Sequence, residues 1–314
     1  MNMSVDSKIR VQKIRAISST VSNIERSLDF YTSAFSFKLV DDLTLDGSYY
    51  SKLEGIQPTQ IRLVVLQLGE EQIELKEYLD VTGKPIPQDS QSNDLWFQHL
   101  AIVVSDIDRA YEHLQSFEIE PISSGLQTLP NGIRAFKFKD PDGHDLEIIW
   151  FPPDQSKDKW QKNTEELFLG IDHSAITVAD TERSLNFYQN LLGMEVEESN
   201  INSGEIQAHL DGLPDAKVRV TSLRPHQGGL GIELLDYIVP GTGRPFPDDW
   251  QSYDIATMQV QLVIENIEAA VNTLRENGVE IISPQILQLP DSYPYRQACS
   301  VKDPNGHAMM LITL

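Results

Sequence analysis

The sequence predicts an α+β fold made of four strand–helix–three-strand (βαβββ) units in two tandem domains. Three observations lead there. The 314 residues exceed the ~250–300 at which one hydrophobic core stops growing, so two domains of about 150 residues are expected. Four segments recur in the same order: ERSLDFYTSAF from Glu25 returns as ERSLNFYQNLL from Glu182, and IELKEY at Ile73 as IELLDY at Ile232. TGKPIPQDSQSND at Thr82 likewise returns as TGRPFPDDWQSYD at Thr242, and DPDGH at Asp140 as DPNGH at Asp303. The spacing between copies grows slowly along the chain, as a duplication with a few loop insertions requires. Third, each half contains a weaker repeat of its own, in which a strand and a helix precede further strands.

The elements follow in order. Residues 11–21 alternate toward a core, and Ser22 with Glu25 reads as a capping box for a helix carrying Leu28, Tyr31 and Phe35. Three strand-like segments follow, ending in QIELKEY. The second unit has a strand at 100–104, a helix at 107–117, and strands that end in the DPDGH turn and LEIIWF. The third opens with a strand at 171–178, with Asp180 as helix N-cap and Gly193 as C-cap. The fourth opens at 259–264, and its helix closes at Asn277-Gly278. The domains are expected at 10–151 and 168–314, joined by a polar linker at 152–167. A half-sheet of one unit leaves a concave face open and must pair with another.

Composition narrows the function. Forty per cent hydrophobic and 23% charged residues are ordinary globular values. A net charge of −22 repels phosphate backbones, so nucleic acid is not an expected partner. The acidic residues are dispersed, which points to solubility. No apolar run reaches the ~18–20 residues a bilayer span needs, and MNMSVDSKIR lacks a signal-peptide core. Cys299 is the single cysteine, which rules out an internal disulfide and a cysteine-rich zinc site. A cytoplasmic protein acting on a small molecule is expected, with no membrane partner. The sequence leaves the oligomeric state open, a monomer included.

The run from Ile171-Asp172-His173 through the FY pair to LLG, the IEL strand and the DPDGH…E ending resembles the vicinal oxygen chelate superfamily. That superfamily includes glyoxalase I, extradiol ring-cleaving dioxygenases, methylmalonyl-CoA epimerase and the bleomycin-resistance proteins. The resemblance covers nearly the whole chain and implies one metal ligand on the first strand and one on the last strand of each unit. Carried over position by position, unit one offers Ala16 and Glu74, and unit two His99 and Glu147. Unit three offers His173 and Glu233, and unit four Gln259 and Met310. Ala16 and Met310 cannot bind a hard or borderline cation, and Gln259 is a poor oxygen donor.

The residues themselves point the same way. Glu147 and Glu233 each stand between Leu or Ile neighbours, so strand alternation turns them away from the core, toward the concave face. A carboxylate there costs several kcal/mol unless a metal ion or an arginine compensates it; Arg62, Arg134 and Arg219 are the candidate arginines. Imidazole and carboxylate donors suit one divalent ion, whether Ni, Zn, Fe, Mn or Co. Lone strand histidines are otherwise commonly satisfied interior residues. His144 and His307 read as turn residues, while His113, His209 and His226 have no partner pattern. Trp96, Phe97 and Trp150 read as core or pocket wall.

Two closures are compatible with four units. If neighbouring units pair, each half holds a three-ligand site: Glu74, His99 and Glu147, or His173, Glu233 and Gln259. If the middle units pair, His99, Glu147, His173 and Glu233 form one complete set and the losses fall together in the other. The pattern of losses favours this crossed closure, which resembles fused glyoxalase I chains. The resemblance then implies a glyoxalase-like lyase or isomerase acting on a small alpha-hydroxy or alpha-keto compound through a metal-stabilised enediolate, with Glu147 or Glu233 as catalytic base. An extradiol-type dioxygenase is the first alternative, with the TGRPFP…SYD loop near its pocket; its two-His, one-carboxylate set is broken in both halves. A metal-free small-molecule binder of the bleomycin-resistance type is the other.

Overall fold

A computed structural model of the chain describes residues 9–155, 158–161 and 165–314. Residues 1–8, read above for a leader, lie outside the described residues, as do 156–157 and 162–164 of the expected linker. Unit one comprises β1 (Val11–Thr20), α1 (Ile24–Phe35), β2 (Lys38–Leu45), α2 (Gly47–Glu54), β3 (Ile61–Leu68) and β4 (Glu71–Tyr78). Unit two comprises β5 (Gln98–Val104), α3 (Ile107–Leu114), two short strands β6 (Glu120–Pro121) and β7 (Gln127–Thr128), β8 (Arg134–Lys139) and β9 (Asp145–Trp150). In unit three, β10 (Phe168–Thr177) leads to α4 (Thr181–Leu185), continued by a π-helical turn over Asn186–Leu191, then β11 (Glu195–Ser203), α5 (Glu205–Asp211), β12 (Lys217–Arg224) and β13 (Gly231–Val239). Unit four has β14 (Met258–Ile264), α6 (Ile267–Glu276), β15 (Leu287–Gln288), β16 (Gln297–Lys302) and β17 (Ala308–Thr313).

The strands form two sheets, and each takes one unit from each half. One runs β15-β16-β17-β14-β1-β4-β3-β2 and joins units four and one. The other runs β11-β12-β13-β10-β5-β9-β8-β6, with β7 on β8, and joins units three and two. The crossed closure is therefore the one the chain adopts. Each sheet has an antiparallel seam between the first strands of its two units, β1 with β14 and β10 with β5. A shared core of both sheets and their helices holds Phe35, Phe138, Phe187, Leu262 and Leu311 among its buried members. Burying a side chain of this size contributes about 1.5–3 kcal/mol.

Asp180 caps α4 by accepting from the Arg183 amide at 3.0 Å, and Gly193 takes φ 68° after the helix. Helix α6 ends at Asn277, followed by Gly278 with φ 74°. The first helix differs from expectation: Asn23, not Ser22, is its N-cap, accepting from the Arg26 amide at 2.9 Å. Ser22 Oγ instead donates to Asp142 of the DPDGH turn, a partner 120 residues away. Helix α3 ends at Leu114 rather than 117, and Phe117 packs on His113 and Phe30.

The repeated motifs hold the units together. Tyr31 of the first FY pair donates to Asp140 at 3.0 Å, and Tyr188 of the second to Asp303 at 3.1 Å. The TGKP and TGRP segments clasp each other's SxD partners. The Lys84 amide donates to Asp254 at 2.6 Å, and the Arg244 amide to Asp94 at 2.8 Å. Glycine is required where the chains cross: a Cβ on Gly83 would lie 1.9 Å from the Tyr253 carbonyl oxygen. Trp96, expected as core or pocket wall, lies in this clasp beneath the Arg244 guanidinium and against Trp250.

His144 occupies its turn as expected, buried, with Nδ1 3.2 Å from Asp140 and Nε2 2.9 Å from the Ile255 carbonyl of the other half. Burial alone would lower its pKa, but the Asp140 carboxylate and, more weakly, Asp142 raise it to about 9. A folded pKa above the unfolded ~6.5 stabilises the fold fully below pH ~6.5 and loses that contribution as pH rises through 9. The difference corresponds to about 3 kcal/mol. Thermal melts of the metal-free chain should fall between pH 6.5 and 9, and His144→Gln should flatten that slope. An equal slope in the variant would show that the pair contributes nothing.

Candidate metal centre

The seam of the second sheet gathers the candidate groups. In the β5/β10 register Ala101 faces His173 and Ala175 faces His99. On the outer sides, β9 sets Glu147 beside Ala101 and β13 sets Glu233 beside Ala175. The four chemical groups thus surround two alanines on the concave face, where the small side chains leave room between them. Glu147 Oε2 lies 3.2 Å from His99 Nε2 and 3.7 Å from His173 Nε2, and Glu233 Oε2 lies 3.3 Å from His173 Nε2. One ligand atom from each of His99, Glu147 and His173 falls within 4.8 Å of the others, a group that could hold a metal ion.

Nδ1 of His99 is buried with no hydrogen-bond partner among the described residues, and the buried Nε2 atoms of His99 and His173 meet carboxylate oxygens at 3.2–3.7 Å without well-aligned hydrogen bonds. Leaving such groups unsatisfied costs about 1–3 kcal/mol each, and a shared cation would relieve the two Nε2 atoms, one from each ring. The donor set fits a borderline divalent ion. Burial and the nearby Lys137 ammonium lower the His99 pKa, keeping the ring neutral as ligation requires. Burial would raise Glu147, but the two imidazoles and Lys137 outweigh it and bring the carboxyl to about 2.

A second layer fixes these groups. His173 Nδ1 lies 3.1 Å from Asp172 Oδ2, which also accepts from Arg224 at 2.7 Å, and Trp160 Nε1 reaches Asp172 Oδ1 at 3.3 Å. This arrangement turns Nε2 toward the cluster. Ser222 donates to Glu233 Oε1 at 2.7 Å, and buried Lys137 pairs with Asp211 at 2.7 Å. None of these supporting residues was expected from the sequence. A cavity of about 580 Å³ opens over the cluster, with Trp160, Phe151 and Leu210 in its walls.

Glu74 and Gln259 are not brought to this cluster. They lie on the other sheet with Ala16 and Met310, and Glu74 is fully buried. Arg15 and Gln261 hydrogen-bond both of its carboxylate oxygens, so a guanidinium compensates its charge where an ion was considered. Gln259 Nε2 reaches Ser300 at 3.3 Å. Tyr50, Tyr78, Tyr295 and Met310 fill the concave face beside them. Of the arginines weighed for this role, Arg62 pairs with Asp42 and Glu25, and Arg134 with Asp108. The TGRPFP…SYD loop lies in the clasp, and none of its residues lines the cavity.

The chain belongs to the Glyoxalase/Bleomycin resistance protein/Dioxygenase superfamily, whose family model matches residues 13–148 and 170–311. It is 26% identical over 183 residues to a lactoylglutathione lyase of Arabidopsis thaliana, covering 56% of this chain and 53% of that protein. It is 25% identical over 192 residues to the lactoylglutathione lyase of Schizosaccharomyces pombe, covering 56% and 57% respectively. The chain thus spans about half the length of these curated relatives in the matched region. The crystal structure of glyoxalase I from Zea mays shares its fold, with a TM-score of 0.65 and 20% identity over 96% of this chain and 92% of that one. No helix among the described residues is long and apolar enough to cross a membrane.

Proposed function

We propose that the chain is a metal-dependent lyase or isomerase that moves a proton between adjacent carbons of a small alpha-hydroxy or alpha-keto compound. The observation carrying this reading is the buried His99–Glu147–His173 cluster, with unpartnered ring nitrogens, beneath a cavity of about 580 Å³. His99, Glu147, His173 and Glu233 would hold one divalent ion, of which Ni, Zn, Fe, Mn and Co all suit the donors. When bound, such an ion polarises adjacent substrate oxygens and offsets the negative charge that develops on them.

Glu233 is assigned as the base. Its side chain is 19% exposed, against 6% for Glu147, so it meets the cavity while Glu147 lies between both imidazoles. Ser222 holds one Glu233 oxygen and leaves the other toward the cluster. Glu233 takes the proton from one carbon and returns it to the neighbour, so one carbon is oxidised, the other reduced, and no external oxidant is consumed. The lactoylglutathione lyases in the comparison supply the class of test compound, thiol adducts of 2-oxoaldehydes. A cytoplasmic location belongs to the same reading and suits a lone buried thiol, Cys299.

The test is elemental analysis of protein purified without chelator or affinity metal, followed by assay on thiol adducts of methylglyoxal. About one equivalent of a transition metal and formation of an alpha-hydroxy thioester are expected. A chain that holds no metal, takes none up and still binds adducts would be a metal-free binder instead.

A further inference from the structure

The charges around the cavity say which substrates it admits. Six carboxylates line it: Glu147, Asp172, Glu197, Glu198, Asp211 and Glu233. Lys137 and Arg224 are the cations among the described lining residues, and both are committed within the protein. Lys137 is buried on Asp211. Arg224 spends all three guanidinium nitrogens: Nε on Glu197 at 2.7 Å, Nη2 on Asp172 at 2.7 Å, and Nη1 on the Asp172 and Gly229 carbonyls. Glu147, Glu198 and Glu233 form no ion pair with a lysine or arginine among the described residues, so with metal-bound, neutral histidines these three leave three negative charges on the wall, and a divalent ion offsets two of them.

A second, independent feature points the same way. Gln207, 4% exposed on α5, donates its Nε2 to Asp211 at 2.6 Å, which leaves Oε1 in the cavity wall as a buried acceptor without a partner. An unsatisfied buried acceptor favours a ligand that brings a donor. The wall therefore presents acceptors and negative charge.

Resting on the proposed lyase reading, we infer that the substrate is a neutral or ammonium-bearing compound with hydroxyl or amine donors. An anionic glutathione conjugate does not fit. Glutathione carries two carboxylates and one ammonium at neutral pH, and the wall has no uncommitted cation, among the described residues, to receive the excess negative charge. Like charges in a cleft of low dielectric repel over several ångströms, more strongly than in water. Glu198, whose carboxylate among the described residues accepts from the exposed Asn200 amide and no other group, adds to that barrier at the cavity wall.

The experiment compares three methylglyoxal adducts on the metal-loaded enzyme: with glutathione, with 2-mercaptoethanol, and with 2-(dimethylamino)ethanethiol. The neutral and ammonium-bearing adducts should show kcat/KM at least about tenfold above the glutathione adduct. Salt should raise the rate on the glutathione adduct and lower it on the ammonium adduct, since screening weakens both repulsion and attraction. Glu198→Gln should narrow the preference severalfold. A glutathione adduct turned over as well as the others, or better, would overturn the inference.

Calorimetry with the unreactive S-methyl thioethers of the same thiols separates this inference from the lyase reading. If no adduct is turned over, the lyase reading falls, yet the charge preference is still decided. Tighter binding of the ammonium thioether supports the inference; tighter binding of S-methylglutathione refutes it.

Discussion

Replacing either His99 or His173 with alanine should cost the chain its ion and, with it, turnover. The two residues come from opposite halves of the sequence, yet the β5/β10 register sets them on one seam, 5.6 Å between ring centroids. A single shared ion therefore loses a ligand in either variant, whereas separate centres would each lose only their own. Loss of a partner that merely orients a ligand typically weakens metal affinity or activity by 10–100-fold, so loss of the ligand itself should exceed about 100-fold. Asp172→Asn, which keeps His173 but weakens its hold, should fall within that 10–100-fold range. Folding is monitored separately: added metal should raise the melting temperature of the parent chain and not that of either alanine variant. A variant that kept a full equivalent of metal would show that its histidine is no ligand.

How much of this was legible in the sequence depends on the range of the interaction. The repeats carry the fold because a duplicated unit keeps its strand and helix periods, and even the crossed closure could be inferred from where Ala16 and Met310 interrupt the pattern. The short helices α2 and α5 were missed although part of their signal was present: Asp46 caps α2 through the Ser48 amide, and Gly55 and Gly212 end the two helices with left-handed backbone. Ser22 was misread as a cap because Asn23, one residue on, competes for the same role and wins by its own bond to Arg26. Arg15, Arg224 and Trp160 gave no local signal at all. Their partners are Glu74, Asp172 and the seam itself, brought near only by the sheet. Trp160 was counted as part of a polar linker, yet its ring edge would lie 2.9 Å from a Cβ at Gly170, so the bare glycine lets it form the cavity wall.

The division of labour between the two glutamates yields the second large effect. Glu147→Gln and Glu233→Gln remove the same charge from neighbouring positions, but the surroundings differ. Glu147 lies between His99 and His173, and the two imidazoles and Lys137 draw its pKa down to about 2 against the opposing effect of burial. A carboxylate set between both imidazoles and only 6% exposed is placed to hold the ion rather than to reach a substrate carbon. Its amide should therefore lose the ion. Glu233 faces the cavity, and its amide keeps one oxygen for the ion while its NH2 can donate to the Ser222 hydroxyl in place of the bond the carboxylate accepts, but it cannot take a proton. At saturating metal Glu233→Gln should keep its ion and KM while kcat falls 10²–10⁴-fold, the usual contribution of a positioned general base. Metal content and single-turnover rates of the two variants decide the matter. Retained turnover in Glu233→Gln, or a metal-loaded but inactive Glu147→Gln, would move the base to Glu147.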